Sequence, residues 1–155
     1  TFIWVAFDLA SDGRREGDRP GINDKGLVSY DRLVRKDAFY WYQANWSSTP
    51  MIHIADRRLT ERHTPAVEVK AYTNAPEATL TLNGRSLGTV AARDRIVRWN
   101  VTLERGRNRI TVSAGSVSDA VEWTLTPPSS LVVTTVPELR EPPKPSEPPK
   151  APPGQ

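Results

Sequence analysis

Cysteine is absent from the chain, which excludes disulfides, thiolate metal sites and cysteine nucleophiles. Histidine occurs only at positions 53 and 63, so a classical zinc site is not expected, and no metal or other cofactor is anticipated. His53 falls in the apolar run MIHIA and reads as a strand residue; His63, in RRLTERHTP, reads as loop. No apolar stretch approaches the length of a membrane-spanning helix, so no membrane partner is expected. A basic run is missing too. The 21 Lys and Arg residues are spread along the chain against 18 acidic ones, and the net charge of +3 carries no nucleic-acid signature. The first residue is not Met and no signal-peptide pattern follows it, although a buried-looking segment begins at residue 2. That start predicts that further sequence precedes it. Compartment stays open between bacterial cytoplasm, periplasm and secretion.

What the chain does contain falls into three zones. At 155 residues it has room for one ordinary domain. In residues 1–49, FIWVAF is a continuous apolar run ending at Asp8, the pattern of a parallel-sheet strand covered on both faces. A loop rich in Gly, Asp and Arg then runs from about Leu9 to Leu33, too long for a simple connection. KDAFYWYQANW follows, with Ala38, Phe39, Tyr42 and Trp46 at helical spacing and Trp41 and Asn45 on a neighbouring face. Pro50 stops that helix. Strand, long loop and helix make one β/α unit, which cannot bury its faces alone. In a (β/α) barrel, loops leaving the C-terminal ends of the strands build the active site. The polar loop after FIWVAFD would occupy that place.

Residues 50–126 change period. MIHIA, AVEVKAYTN, ATLTLNG, RSLGTVA, RIVRWNVTL, NRITVSAG and AVEWTLT are short strands spaced by turn residues. Val67, Val69 and Ala71 alternate with Glu68, Lys70 and Tyr72, as half-buried strands require. Asn83-Gly84 is a two-residue hairpin signal, since both central positions of a type I′ turn take positive φ. Seven such strands predict a mainly β chain with an immunoglobulin-like β-sandwich that lacks the antibody cysteine pair. Trp99 and Trp123 are expected in its core or on a sheet face. Residues 127–155, with repeated proline dipeptides, predict an extended tail or linker that forms no core, preceded by one further strand at SLVVTTV.

FIW, then the polar loop GINDKGLVSYDR, then KDAFYWYQANW before a β-domain resembles the end of the catalytic barrel of family 2 glycoside hydrolases, in particular bacterial β-galactosidase-like members. The resemblance covers roughly residues 1–125. It implies a (β/α)₈ barrel whose last β/α unit lies at the start of this chain, followed by an immunoglobulin-like domain. It also implies a retaining hydrolase with a β-galactoside or related carbohydrate as substrate, and the rest of the parent enzyme's barrel as partner.

Three positions carry over as substrate-binding candidates. Trp4 matches the family's tryptophan at the end of the last barrel strand, an apolar wall for a sugar ring, with barrel packing as the alternative on local pattern. Asn23 and Lys25 match the Asn-x-Lys-Gly pattern of the β-glucuronidases of the same family, where amide and ammonium bind the substrate carboxylate. The pairing is sound chemistry, because an ammonium beside an amide donor holds a carboxylate through charge-assisted hydrogen bonds. A solvated Asn-Asp turn before Gly26 is the alternative on local pattern. Asp31-Arg32 also matches, with a structural role expected in holding the loop to the helix start.

No catalytic residue is expected here. A retaining glycosidase needs two carboxyl groups about 5–5.5 Å apart, and the family's two glutamates belong to earlier barrel strands. Asp8, Asp12, Glu16 and Asp18 are the acids near the loop, and none matches either. The leading expectation is therefore part of a β-galactosidase-type hydrolase, inactive alone, with a β-glucuronidase-type portion as an open variant. The competing expectation is a stand-alone carbohydrate- or protein-binding sandwich, for which Tyr72, Trp99 and Trp123 are the nearby aromatic candidates.

Overall fold

The computed structural model describes residues 2–14 and 19–126; the proline-rich zone and its SLVVTTV segment lie outside the described residues. The expected strands of the second zone all form. They are β3 (Ile52–Ile54), β5 (Ala66–Thr73), β6 (Glu77–Leu82), β7 (Arg85–Ala91), β8 (Ile96–Thr102), β9 (Gly106–Ala114) and β10 (Val117–Leu125). A short strand absent from the expectation, β4 (Glu61–Arg62), runs parallel to β10 with Glu61 opposite Thr124. His63 follows it outside any strand, as expected, and His53 sits inside β3.

These strands form two sheets, one ordered β4-β10-β9-β6-β7 and the other β3-β5-β8. Alternation turns one face of each inward. Val97, Trp99 and Val101 of β8 are buried between exposed Arg98 and Asn100, and Ile110 and Val112 of β9 between Arg109 and Ser113. Ile54, Val69, Leu80, Val97, Ile110, Val112 and Trp123 join in one core cluster contributed by both sheets, which makes this region a β-sandwich. Each fully buried aliphatic side chain contributes about 1.5–3 kcal/mol of hydrophobic stabilisation. The β6–β7 hairpin turns at Asn83-Gly84 with φ of 51° and 84°, the positive pair that a type I′ turn needs.

The helix α1 (Asp37–Trp46) explains a departure from simple alternation. Tyr72 of β5 points away from the sandwich core yet is buried, because α1 covers that side of the sheet. Ala44, Met51, Ala55 and Tyr72 form a second cluster, with Tyr40, Trp41 and Ile96 packed against it. Trp41 donates its indole N–H to the carbonyl of Asp94 at 3.1 Å. The helix therefore buries its 40/41/44 side. The Phe39, Tyr42 and Trp46 side, which the spacing singles out, stays open, with Trp46 58% exposed.

The run FIWVAF departs further. Residues 2–7 belong to no named strand, and the run's ladder contact is a parallel bridge from Phe7 to Val28. Phe2 is fully exposed and Trp4 89% exposed, so the segment is not covered on both faces within this chain. The physical reason is the absence, among the described residues, of neighbouring strands to complete its hydrogen bonds.

Candidate functional site

The loop that follows FIWVAFD is folded by its own backbone before any side chain is considered. Strands β1 (Leu9–Ala10) and β2 (Ile22–Asn23) pair antiparallel, Leu9 opposite Asn23. The chain then returns beside its own start. Leu27 and Val28 both donate backbone N–H to the carbonyl of Ala6, at 3.1 and 3.0 Å, and Asp8 N–H donates to Val28 O at 2.9 Å. Gly26 occupies the crossing. A Cβ added there would fall inside the backbone of Phe7 and Asp8, so only glycine allows the approach.

Asp8 closes this crossing. It is 6% exposed, and its Oδ1 accepts Gly26 N–H at 2.9 Å and Lys36 Nζ at 2.7 Å. Lys36 Nζ also donates to the carbonyl of Asp24. Sequence reading considered Asp8 only as a stray acid and did not single out Lys36. The signal that could have found them is a lysine at a helix start, where a short oxygen-bearing side chain is usual.

The three candidate residues flank this crossing without making it. Trp4 lies two residues before Ala6, exposed. Asn23 and Lys25 precede Gly26; Asn23 Oδ1 accepts the backbone N–H of Lys25 at 3.1 Å, and Lys25 is exposed. The Asn-Asp turn expected on local pattern is therefore present. It uses the amide oxygen and leaves the amide NH₂ as the donor end. Trp4 and Asn23 share the backbone frame set by the crossing. A charged cleft of about 460 Å³, lined in part by Asp8, Arg19, Asp24, Tyr30, Lys36 and Arg58, touches none of the three. Ile22 and Asp24 line it, while Asn23 and Lys25 do not.

Asp31 and Arg32 behave differently from expectation. Asp31 keeps its bonds within its own turn, accepting from Ser29 Oγ and from Leu33 N–H at 3.1 Å. The Ser29 hydroxyl first, and then the Leu33 N–H, hold its carboxyl below the usual carboxylate range. Arg32, at a φ of 68°, stacks its guanidinium over Phe7 at 3.7 Å. The tie to the helix start is made by Lys36 instead.

Among the acids near the loop, Asp8 is committed to Gly26 and Lys36, and Asp12 is exposed. Glu16 and Asp18 lie outside the described residues. Among the described residues, no group of three or more His, Asp or Glu side chains is placed to hold a metal, and no helix is long and apolar enough to cross a membrane. Tyr72, Trp99 and Trp123 are all buried, so they form no flat aromatic platform for a glycan. Trp123 packs beneath the guanidinium of Arg62 at 3.9 Å.

Residues 65–122 match the model of a domain of unknown function (DUF4982). The chain is 51% identical over 116 residues to a β-glucuronidase of Bacteroides fragilis, covering 73% of this chain and 17% of that protein. An FMN-binding β-glucuronidase from Facaelibacterium prausnitzii L2-6 superposes with a TM-score of 0.75 at 41% identity, over 79% of this chain and 19% of that one. A β-glucuronidase of Bacteroides uniformis superposes with a TM-score of 0.70 at 31% identity, over 80% and 16% respectively. The homologues are thus glycoside hydrolases, and the chain spans under a fifth of the length of each.

Proposed function

We propose that this chain is a portion of a β-glucuronidase-type glycoside hydrolase of family 2: the last β/α unit of the catalytic barrel, at residues 1–49, and an immunoglobulin-like sandwich, at residues 50–126, that buttresses it. The observation that carries the reading is the crossing at Gly26, which anchors the exposed Trp4 segment and the Asn23–Lys25 loop in one backbone frame. In that frame the chain supplies substrate positioning. Lys25 Nζ and the Asn23 amide NH₂ donate to the carboxylate of a uronic acid. Trp4 offers its indole to the less polar face of the sugar ring. Closure by the rest of the barrel lowers the local dielectric and strengthens the ammonium–carboxylate pair. The acid and the nucleophile come from the remainder of the barrel, and this chain by itself is inactive.

A galactoside remains the competing substrate within the same chemistry. The names of the relatives and the Asn-x-Lys-Gly pattern favour the uronide. The separate carbohydrate-binding reading loses its main support, because its three aromatic candidates are buried. Kinetics of the complete enzyme carrying this sequence, on matched aryl glucuronide and aryl galactoside, test the proposal. Lys25→Ala is expected to depress kcat/KM for the glucuronide by tenfold or more, taking a charge-assisted bond as worth roughly 1.5–3 kcal/mol. Unchanged kinetics on both substrates would refute the loop assignment.

A further inference from the structure

Helix α1 begins on a residue that local rules disfavour. Its N-cap is Lys36, with extended backbone and no side-chain hydrogen bond to the first turn. Ser, Thr, Asp and Asn are preferred there because their oxygens accept from the orphan N–H groups. A cation also meets the positive end of the helix dipole. The ammonium is used elsewhere. It reaches back 28 residues to Asp8 Oδ1 and donates as well to the carbonyl of Asp24. Asp8 Oδ1 in turn accepts the N–H of Gly26. Both loop contacts fall on backbone atoms, one on each side of Lys25.

The bond from Lys25 N–H to Asn23 Oδ1 spans only two residues and shapes the turn locally. The Asp8–Lys36 pair ties the loop to the FIWVAF segment and to the helix start at once. Its side chains are 8% and 25% exposed, so salt screens the pair less than a surface contact. A local rule broken at a helix cap, with the side chain spent on a distant loop, marks a functional constraint.

We infer that Asp8 and Lys36 are positioning residues that set the backbone of residues 23–26 and thereby hold Asn23 and Lys25 in the geometry that selects a sugar carboxylate. The inference rests on the proposed reading of that loop as sugar-facing. It assigns no contact between either residue and the substrate.

The test uses the complete enzyme carrying this sequence, with aryl glucuronide and aryl galactoside as probes. Lys36→Met is expected to lower the glucuronide-to-galactoside ratio of kcat/KM on the order of tenfold, chiefly through KM for the glucuronide. In a Lys25→Ala background the same change should add little to that ratio, since both act on one interaction. Lys36→Arg, which keeps the charge, should recover part of the ratio. Equal losses on both substrates, or full additivity with Lys25→Ala, would overturn the inference. If Lys25→Ala collapses the ratio while Lys36→Met and Asp8→Asn leave it intact, the loop reading stands and only the positioning role fails. If Lys25→Ala itself leaves the ratio unchanged, both fall. Should Lys36→Met not fold, Asp8→Asn and Lys36→Arg decide by the same ratio.

Discussion

The imidazole of His53 lies flat against the phenol ring of Tyr40, with centroids 3.3 Å apart and planes within 8°. This stack joins α1 to β3, and two carboxylates flank it. Asp37 of α1 lies 3.9 Å from Nε2 and Asp119 of β10 lies 3.9 Å from Nδ1, both beyond hydrogen-bond reach but within ion-pair distance. The helix, the three-stranded sheet and the five-stranded sheet therefore meet at one buried imidazole.

Acid should loosen this junction. His53 first, and then the N–H of Asp56, hold the Asp37 carboxyl below its ordinary value, against the opposing effect of burial. The unfolded chain, with an Asp value near about 3.9, binds a proton at Asp37 at higher pH than the folded chain does. The stabilisation from Asp37 is therefore complete above that unfolded value and is lost as pH falls through the lower folded one. Urea unfolding followed by tryptophan fluorescence at pH 6, 4 and 3 should show a smaller acid-dependent fall for Asp37→Asn than for the wild-type chain. Identical slopes would assign the acid response to other carboxylates.

Asp119 should matter to the same junction through its hydrogen bonds. Its carboxylate accepts from Arg57 in a two-point pair, NH1 to Oδ2 at 3.2 Å and NH2 to Oδ1 at 3.1 Å, and also from Ile54 N–H at 2.9 Å. Asp119→Ala removes both acceptor oxygens and leaves the partly buried Ile54 N–H unsatisfied, at about 1–3 kcal/mol. Arg57→Ala keeps the Ile54 bond and should cost less. Denaturant midpoints of the two variants give the comparison, and a larger loss for Arg57→Ala would show that the ion pair outweighs the backbone bond.

Gly26→Ala should damage the loop rather than the sandwich. The new methyl group meets backbone, which cannot rotate away, so residues 26–28 must separate from residues 6–8. A cost of about 1–3 kcal/mol, as for overpacking, should fall on that contact. Amide hydrogen exchange should report faster exchange at Asp8, Leu27 and Val28 while Ile110 and Val112 keep their protection. Uniform loss across the sandwich would mean that loop and sandwich unfold as one unit.

The strands of the second zone were legible because a half-buried strand repeats every two residues, and that period survives in any tertiary context. Trp4, Asn23 and Lys25 were singled out by a short motif in a recognisable order. Asp8 and Lys36 were not found. Their contact spans a separation that no local period encodes, and neither residue type announces it.

The alternation in residues 50–126 and the Asn83-Gly84 pair by themselves determined where the sandwich strands lie and where one hairpin turns, because both depend on steric preferences of neighbouring residues. Only the tertiary structure decided which side of α1 is buried. Aromatic residues lie all around that helix, so its preferred side depends on Tyr72 arriving from β5 and on Met51 just before β3. The same holds for the run FIWVAF, whose composition predicts a covered strand. A strand is defined by its neighbours' hydrogen bonds, and in this chain one bridge to Val28 is what it receives.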